Sequence, residues 1–161
     1  MAELRIGVLT CSDSRSRQEA EDTAGQALVE LAEAKGWLVI AYHVCSDERA
    51  AIASALEKMV DDDRADVVLT CGGTGLGPRD VTPEATADVA DRPVPGIAEH
   101  LRAQSLLVTG RAMLSRAIAA QRGSTLIVNF PGSQKAARES FDFVAPQLEH
   151  AVEMMHGGGH S

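Results

Sequence analysis

The sequence predicts an α/β fold in which parallel strands are layered with helices, and three observations predict it. Short apolar runs rich in strand formers alternate with segments whose apolar residues recur at helical spacing. The links between them are short, which leaves right-handed strand–helix–strand crossovers as the economical connection. Each predicted strand ends in a polar or glycine-rich stretch, the arrangement that places ligands beyond the carboxyl ends of parallel strands. A chain of 161 residues with 45% hydrophobic and 24% charged composition suits one globular domain. At that size roughly 70% of the unfolded surface is buried, so no disulfide or structural metal is required.

Arg5–Cys11 reads as the first strand and runs into the polar stretch Ser12-Asp13-Ser14-Arg15-Ser16-Arg17, expected as a loop. Ala24, Ala27, Leu28, Leu31 and Ala32 then mark a helical face, with Asp22 or Thr23 as cap and Gly36 just beyond its end. Residues 37–45 form a second strand. Ile52, Ala55, Leu56, Met59 and Val60 line a second helix ending at Asp61-Asp62-Asp63, and Val67–Cys71 is the third strand. A glycine-rich loop over 72–79 precedes a helix opening at Thr82-Pro83, where Thr can cap and Pro fits the first turn. Pro93 and Pro95-Gly96 break that helix. A further helix over 97–105, a segment holding Leu114-Ser115-Arg116, a strand over 124–129 and the turn Phe130-Pro131-Gly132 follow. Two helices, 133–144 and 146–155, complete a single domain over 1–155, with 156–161 as a flexible Gly/His tail.

The formal net charge of −8, from 15 Lys+Arg against 23 Asp+Glu, argues against nucleic acid or an anionic membrane as partner. The apolar stretches are far shorter than a bilayer span, and the first 15 residues hold no secretory core, so the expected location is cytoplasmic. Cys11, Cys45 and Cys71 are odd in number and widely spaced, which suits reduced, buried thiols.

The strand ends supply the candidate chemistry. Gly72-Gly73-Thr74-Gly75-Leu76-Gly77 lets successive backbone N–H groups approach an anion without Cβ obstruction, and Thr74 adds a hydroxyl. No Gly-Lys-Ser/Thr follows, and the last glycine of a dinucleotide fingerprint is Pro78, so neither a P-loop kinase nor a Rossmann dehydrogenase fits. Arg79 and Asp80 come next. They read either as a cation and a carboxylate suited to Mg²⁺-nucleotide chemistry or as a surface ion pair ahead of a helix. Asp47 carries the same two readings, since Ser46 and Asp47 are ordinary caps for a helix starting near Glu48. Ser12 and Asp13 form a turn or meet a polar ligand. Ser115 and the Pro131-Gly132-Ser133 turn are likewise helix starts or ligand contacts, the latter with a helix N-terminus that suits an anion.

The stretch from Thr70 to Thr86 (TCGGTGLGPRDVTPEAT) resembles the signature of the MogA/MoaB family of molybdenum-cofactor biosynthesis proteins. The resemblance extends to Ser12-Asp13, Ser46-Asp47-Glu48, Pro95-Gly96-x-x-Glu99, Leu114-Ser115-Arg116 and Asn129-x-Pro131-Gly132-Ser133. It implies a three-layer α/β/α fold on a mostly parallel sheet, and adenylylation of molybdopterin with Mg-ATP, releasing pyrophosphate. It also implies Asp47 and Asp80 as paired catalytic acids that hold Mg²⁺, with Gly72, Gly73, Thr74 and Gly75 at phosphate. Ser12, Asp13, Ser115, Pro131, Gly132 and Ser133 would lie at molybdopterin or ATP. Cys71 stands where many relatives have Thr or Ser, and Leu76-Gly77-Pro78 varies within the family. A homotrimer or hexamer and a downstream molybdenum-insertion partner are further implications. The alternatives are a non-catalytic molybdopterin-binding protein of the MoaB type, which the retained Asp47 and Asp80 oppose, and an oligomer-forming scaffold domain.

Overall fold

β1 (Arg5–Cys11) lies inside the sheet, and its alternation sets the layers. In the computed structural model, which describes residues 3–158, Ile6 and Val8 face Ala24, Leu28 and Ala32 of α2 (Thr23–Ala34). Leu9 and Cys11 face the opposite side, in one cluster with Ile52 and Leu56 of α3 (Arg49–Glu57). The same split recurs on β6 (Thr125–Phe130), where Leu126, Val128 and Phe130 join the first cluster and Ile127 the second. A strand buried on both faces is apolar at nearly every position, as β3 (Val67–Cys71) is. The expected three-layer α/β/α fold is the observed one.

The strand order is β2-β1-β3-β6-β5-β4, with β2 (Leu38–Cys45), β1, β3 and β6 mutually parallel. Two short strands that the sequence does not predict add an antiparallel edge: β4 (Arg92–Pro93) and β5 (Ala119–Arg122). Residues 119–122 read AAQR, which carries no strand-forming pattern, and tertiary pairing with β6 decides their conformation.

The structure departs from the expected elements in five places. The polar stretch after β1 contains a single helical turn, α1 (Asp13–Ser16), capped by Ser12. The second helix leaves α geometry at Glu57 and continues as a π turn over Lys58–Asp62. Thr82 is the first residue of α4 (Thr82–Val89) rather than its cap, and α5 begins early, over Pro95–Leu106, with Pro95 in its first turn. The two closing helices are one, α6 (Gln134–Met155). Pro146 is exposed, and the buried stripe Phe141, Val144, Ala145, Leu148 and Val152 holds both halves of the helix on the sheet. Of the expected tail, residues 159–161 lie outside the described residues.

Candidate functional site

Four strand ends meet at one edge of the parallel sheet. Ser12 N–H donates to the Cys45 carbonyl at 2.9 Å and Gly72 N–H to the Phe130 carbonyl at 3.1 Å, which ties the ends of β1 to β2 and of β3 to β6. Asp13 and Asp47 then lock reciprocally. Asp13 N–H donates to Asp47 Oδ2 at 2.9 Å, and Asp47 N–H donates to Asp13 Oδ1 at 3.0 Å. Asp47 is therefore no helix cap: the cap position of α3 is Glu48, which makes no side-chain bond there.

The glycine loop is shaped by backbone as much as by space. Gly72 and Gly73 have φ of +97° and +69°, the left-handed region that favours glycine. A Cβ on Gly73 would lie 2.3 Å from Thr82 Oγ1 and 3.3 Å from Asp47 Oδ1. Gly75 does not share the positive φ; a Cβ added there would stand 3.0 Å from Asp80 Oδ2. Gly132 packs directly on the loop, since its own Cβ would come within 3.2 Å of Gly72 Cα. Among the described residues, the backbone N–H groups of Gly73, Thr74, Gly75 and Leu76 have no acceptor. Four consecutive donors stand ready for an anion.

The carboxylates differ in environment. Burial pushes the Asp47 carboxyl up, with the charges of Asp13 and Asp80 adding to it, against the Asp13 N–H and Arg79. Its Oδ1 is buried without a hydrogen-bond partner. Asp13 moves the other way, down to about 2, because Arg79 and the Asp47 N–H bond its charged form. Arg79 spans Asp13 and Glu48 rather than pairing with its neighbour Asp80. Asp80 instead accepts from Gly77 N–H at 2.9 Å, which folds its side chain back over the loop.

A cavity of about 450 Å³ opens beside the loop, between α5, the 3-10 turn Gly110–Leu114 and α6. Thr74, Gly75, Leu76, Ser115, Asn129 and Pro131 form its loop-side wall. Ser115 ends the 3-10 turn and points its hydroxyl oxygen at the Ala117 N–H, so it starts no helix. Two candidates are also structural caps: Ser12 Oγ accepts from Arg15 N–H, and Ser133 Oγ from Ala136 N–H. Thus Asp13, Asp47, Gly72, Gly73, Thr74, Gly75, Asp80 and Gly132 come together, with Ser115 and Pro131 on the cavity side.

Three arginines take parts in the site that the sequence does not reveal. Arg116 donates to the carbonyls of Gly75 and Asp80 and forks onto Glu84, Arg15 donates to the Gly132 carbonyl, and Arg79 joins Asp13 to Glu48. Arg116 lies in the Leu114-Ser115-Arg116 motif, but nothing in that spacing tells which backbone it holds.

No three His, Cys, Asp or Glu side chains among the described residues are grouped to hold a metal alone. Mg²⁺ needs less, since one or two carboxylates with phosphate oxygens and waters complete its shell. The orphaned Oδ1 of Asp47, turned toward the glycine loop, fits that demand.

Comparison with known proteins gives a consistent neighbourhood. Residues 7–150 match the sequence family described as "Probable molybdopterin binding domain". A molybdopterin adenylyltransferase of Helicobacter pylori is 39% identical over 159 residues, covering 98% of this chain and 90% of that protein. The molybdopterin adenylyltransferase of Escherichia coli K12 is 39% identical over 152 residues, covering 89% of this chain and 75% of that protein. Among solved structures, the molybdopterin biosynthesis enzyme MoaB of Thermus thermophilus superposes with a TM-score of 0.90 at 45% identity, covering 98% of this chain and 99% of that one. The Mog protein of Mycobacterium ulcerans superposes with a TM-score of 0.89 at 30% identity, covering 98% and 99%.

Proposed function

The chain belongs to the molybdopterin-binding family of molybdenum-cofactor biosynthesis proteins, and on that premise we propose that it is a molybdopterin adenylyltransferase using ATP with Mg²⁺. The observation that carries this reading is the row of four unpaired N–H donors, Gly73 to Leu76, lying between the carboxylates of Asp47 and Asp80.

An oxygen of the terminal phosphate of molybdopterin attacks the α-phosphorus of ATP, a P–O bond forms, and the bond to the β-phosphate oxygen breaks to release pyrophosphate. Such a step needs no protein nucleophile; it needs two anions held in line and their charge answered by dipoles and cation. The loop N–H groups bind phosphate oxygens. Asp47 and Asp80 would hold Mg²⁺, which would supply charge neutralisation for the phosphates when bound. Asp13 keeps its charge and fixes Asp47 through the reciprocal N–H bonds, so the Asp47 carboxylate is preset. The cavity beside the loop has the volume for one ring system, with Ser115 and Thr109 among the polar groups on its wall.

Ser12 and Ser133 shape this site as helix caps, Pro131 through the cavity wall and Gly132 through its carbonyl, which Arg15 holds. A homotrimer or hexamer suits the exposed apolar residues Leu107, Val108, Met113 and Leu114, of which Val108 and Leu114 line the cavity, and a molybdenum-insertion protein is the partner that would consume the product. No helix among the described residues is long and apolar enough to cross a membrane. Three free buried thiols suit the cytoplasm.

The test is incubation of the purified protein with molybdopterin and Mg-ATP labelled at the α-phosphate. Label in adenylyl-molybdopterin with stoichiometric pyrophosphate is expected. Tight molybdopterin binding without label transfer would place the chain with binding proteins of the MoaB type.

A further inference from the structure

We infer that Arg116 is a positioning residue for adenylyl transfer, clamping the backbone of the loop that carries Asp80 and the free N–H groups instead of meeting a phosphate itself. This deepens the functional reading above and rests on it for its kinetic consequences.

The geometry is one arginine closing both ends of one loop. The Arg116 backbone N–H donates to the Thr74 carbonyl at 2.8 Å, Nε to the Gly75 carbonyl at 2.7 Å and Nη2 to the Asp80 carbonyl at 2.6 Å. Nη1 and Nη2 also fork onto the carboxylate of Glu84 in the first turn of α4. Four of the five guanidinium N–H groups are thereby committed, leaving one for any substrate oxygen. A bidentate phosphate clamp, the usual use of an active-site arginine, is not available to it.

The anchor is itself fixed. Arg102 Nη1 donates to the Ala117 carbonyl at 2.7 Å, and the Asn129 side-chain carbonyl accepts from Ile118 N–H at 3.1 Å, so the residues after Arg116 cannot drift. Inside the loop, Gly77 N–H holds the Asp80 carboxylate, so the side chain travels with the backbone that Arg116 grips. With four glycines between residues 72 and 77, the loop has little intrinsic stiffness, and the clamp supplies it. A lysine keeps the charge but not the planar fork, so it cannot reproduce three simultaneous directions.

The experiment uses the full chain as wild type, Arg116→Lys, Glu84→Gln, Asp80→Asn and the double variant Arg116→Lys/Asp80→Asn. Amide hydrogen exchange at the hydrogen-bonded amides of the loop, Gly77, Asp80 and Thr82, should quicken in Arg116→Lys while β1, β3 and β6 stay protected. The kcat for adenylyl transfer should fall about 10²-fold, as a displacement near 1 Å would cause, with KM for both substrates within about twofold. In the Asp80→Asn background the same change should lower kcat by clearly less than in the wild type, since the part of its effect that passes through Asp80 is already lost while the part that passes through the loop N–H groups remains.

A raised KM with retained kcat, full additivity with Asp80→Asn, or unaltered loop exchange would each overturn the inference. If Arg116→Lys does not fold, Glu84→Gln loosens the same clamp from its other end and must show the same exchange pattern confined to the loop. A wild type that transfers no adenylyl group would defeat the functional reading, while the exchange measurement would still decide whether Arg116 holds the loop.

Discussion

Replacing Gly73 with alanine adds one methyl group at the point where the loop, Asp47 and Thr82 come closest. Two costs follow. An L-residue in the left-handed region, at φ +69°, costs about 1–2 kcal/mol. The new Cβ would also stand 2.3 Å from Thr82 Oγ1, in a fully buried side chain that cannot swing into solvent, and overpacking of that kind costs about 1–3 kcal/mol. The sum is about 2–5 kcal/mol, a fall in Tm of about 4–20 °C for a domain of this size. Gly36→Ala is the matched control, because Gly36 has φ +81° but nothing within 4 Å of its Cβ position, so only the first cost applies. Its Tm should fall by about 2–8 °C. Thermal unfolding followed by circular dichroism gives both numbers, and adenylyl transfer measured well below either midpoint should be lost in Gly73→Ala alone. Equal Tm losses with equal activities would refute the claim that the loop is held against Asp47 and Thr82.

Asp80→Asn should leave Tm within about 2 °C, since an amide oxygen can still accept from Gly77 N–H, yet lower kcat by several powers of ten, read in the label-transfer assay. Asp47→Ala strands the Asp13 N–H and should cost about 1 kcal/mol in urea unfolding, while the loss of turnover far exceeds what that destabilisation explains. Asp13 sits at about 2 when folded against about 3.9 unfolded, a lowered acid; its stabilising contribution is complete above the unfolded value and is lost as pH falls through the folded one. Urea midpoints measured from pH 5 to pH 2 should fall more steeply for wild type than for Asp13→Asn. Asn129→Leu removes the donor to Thr70 and Thr86 and the acceptor of Ile118 N–H inside the core, so chemical unfolding should register a loss of about 2–4 kcal/mol.

The parallel core was legible because burial on both faces writes itself into sequence: VVLTC at β3 and TLIVNF at β6 admit few other readings. The glycine loop was legible from composition, since four glycines in six residues exceed what a turn requires. What stayed hidden were features fixed by distant partners. β5 is strand only because β6 pairs with it, and α6 runs through Pro146 only because its apolar stripe docks on both sides of that residue. Asp47 read as cap or catalyst because its partner, the N–H of Asp13, is 34 residues away in sequence. The contacts of Arg116, Arg79 and Arg15 were hidden for the same cause, each serving groups that sequence proximity does not reveal.

The central claim is that the N–H groups of residues 73–76, flanked by Asp47 and Asp80, receive the phosphates. Its most direct measurement is a nuclear magnetic resonance titration of ¹⁵N-labelled protein with Mg-ATP and then with molybdopterin, following the amides of Gly73, Thr74, Gly75 and Leu76. These four resonances should shift together and saturably, and the shifts for Mg-ATP should weaken in Asp80→Asn. Saturable binding with these amides unmoved, and shifts gathered instead at the groove between β2 and α3 around His43 and Lys58, would contradict it.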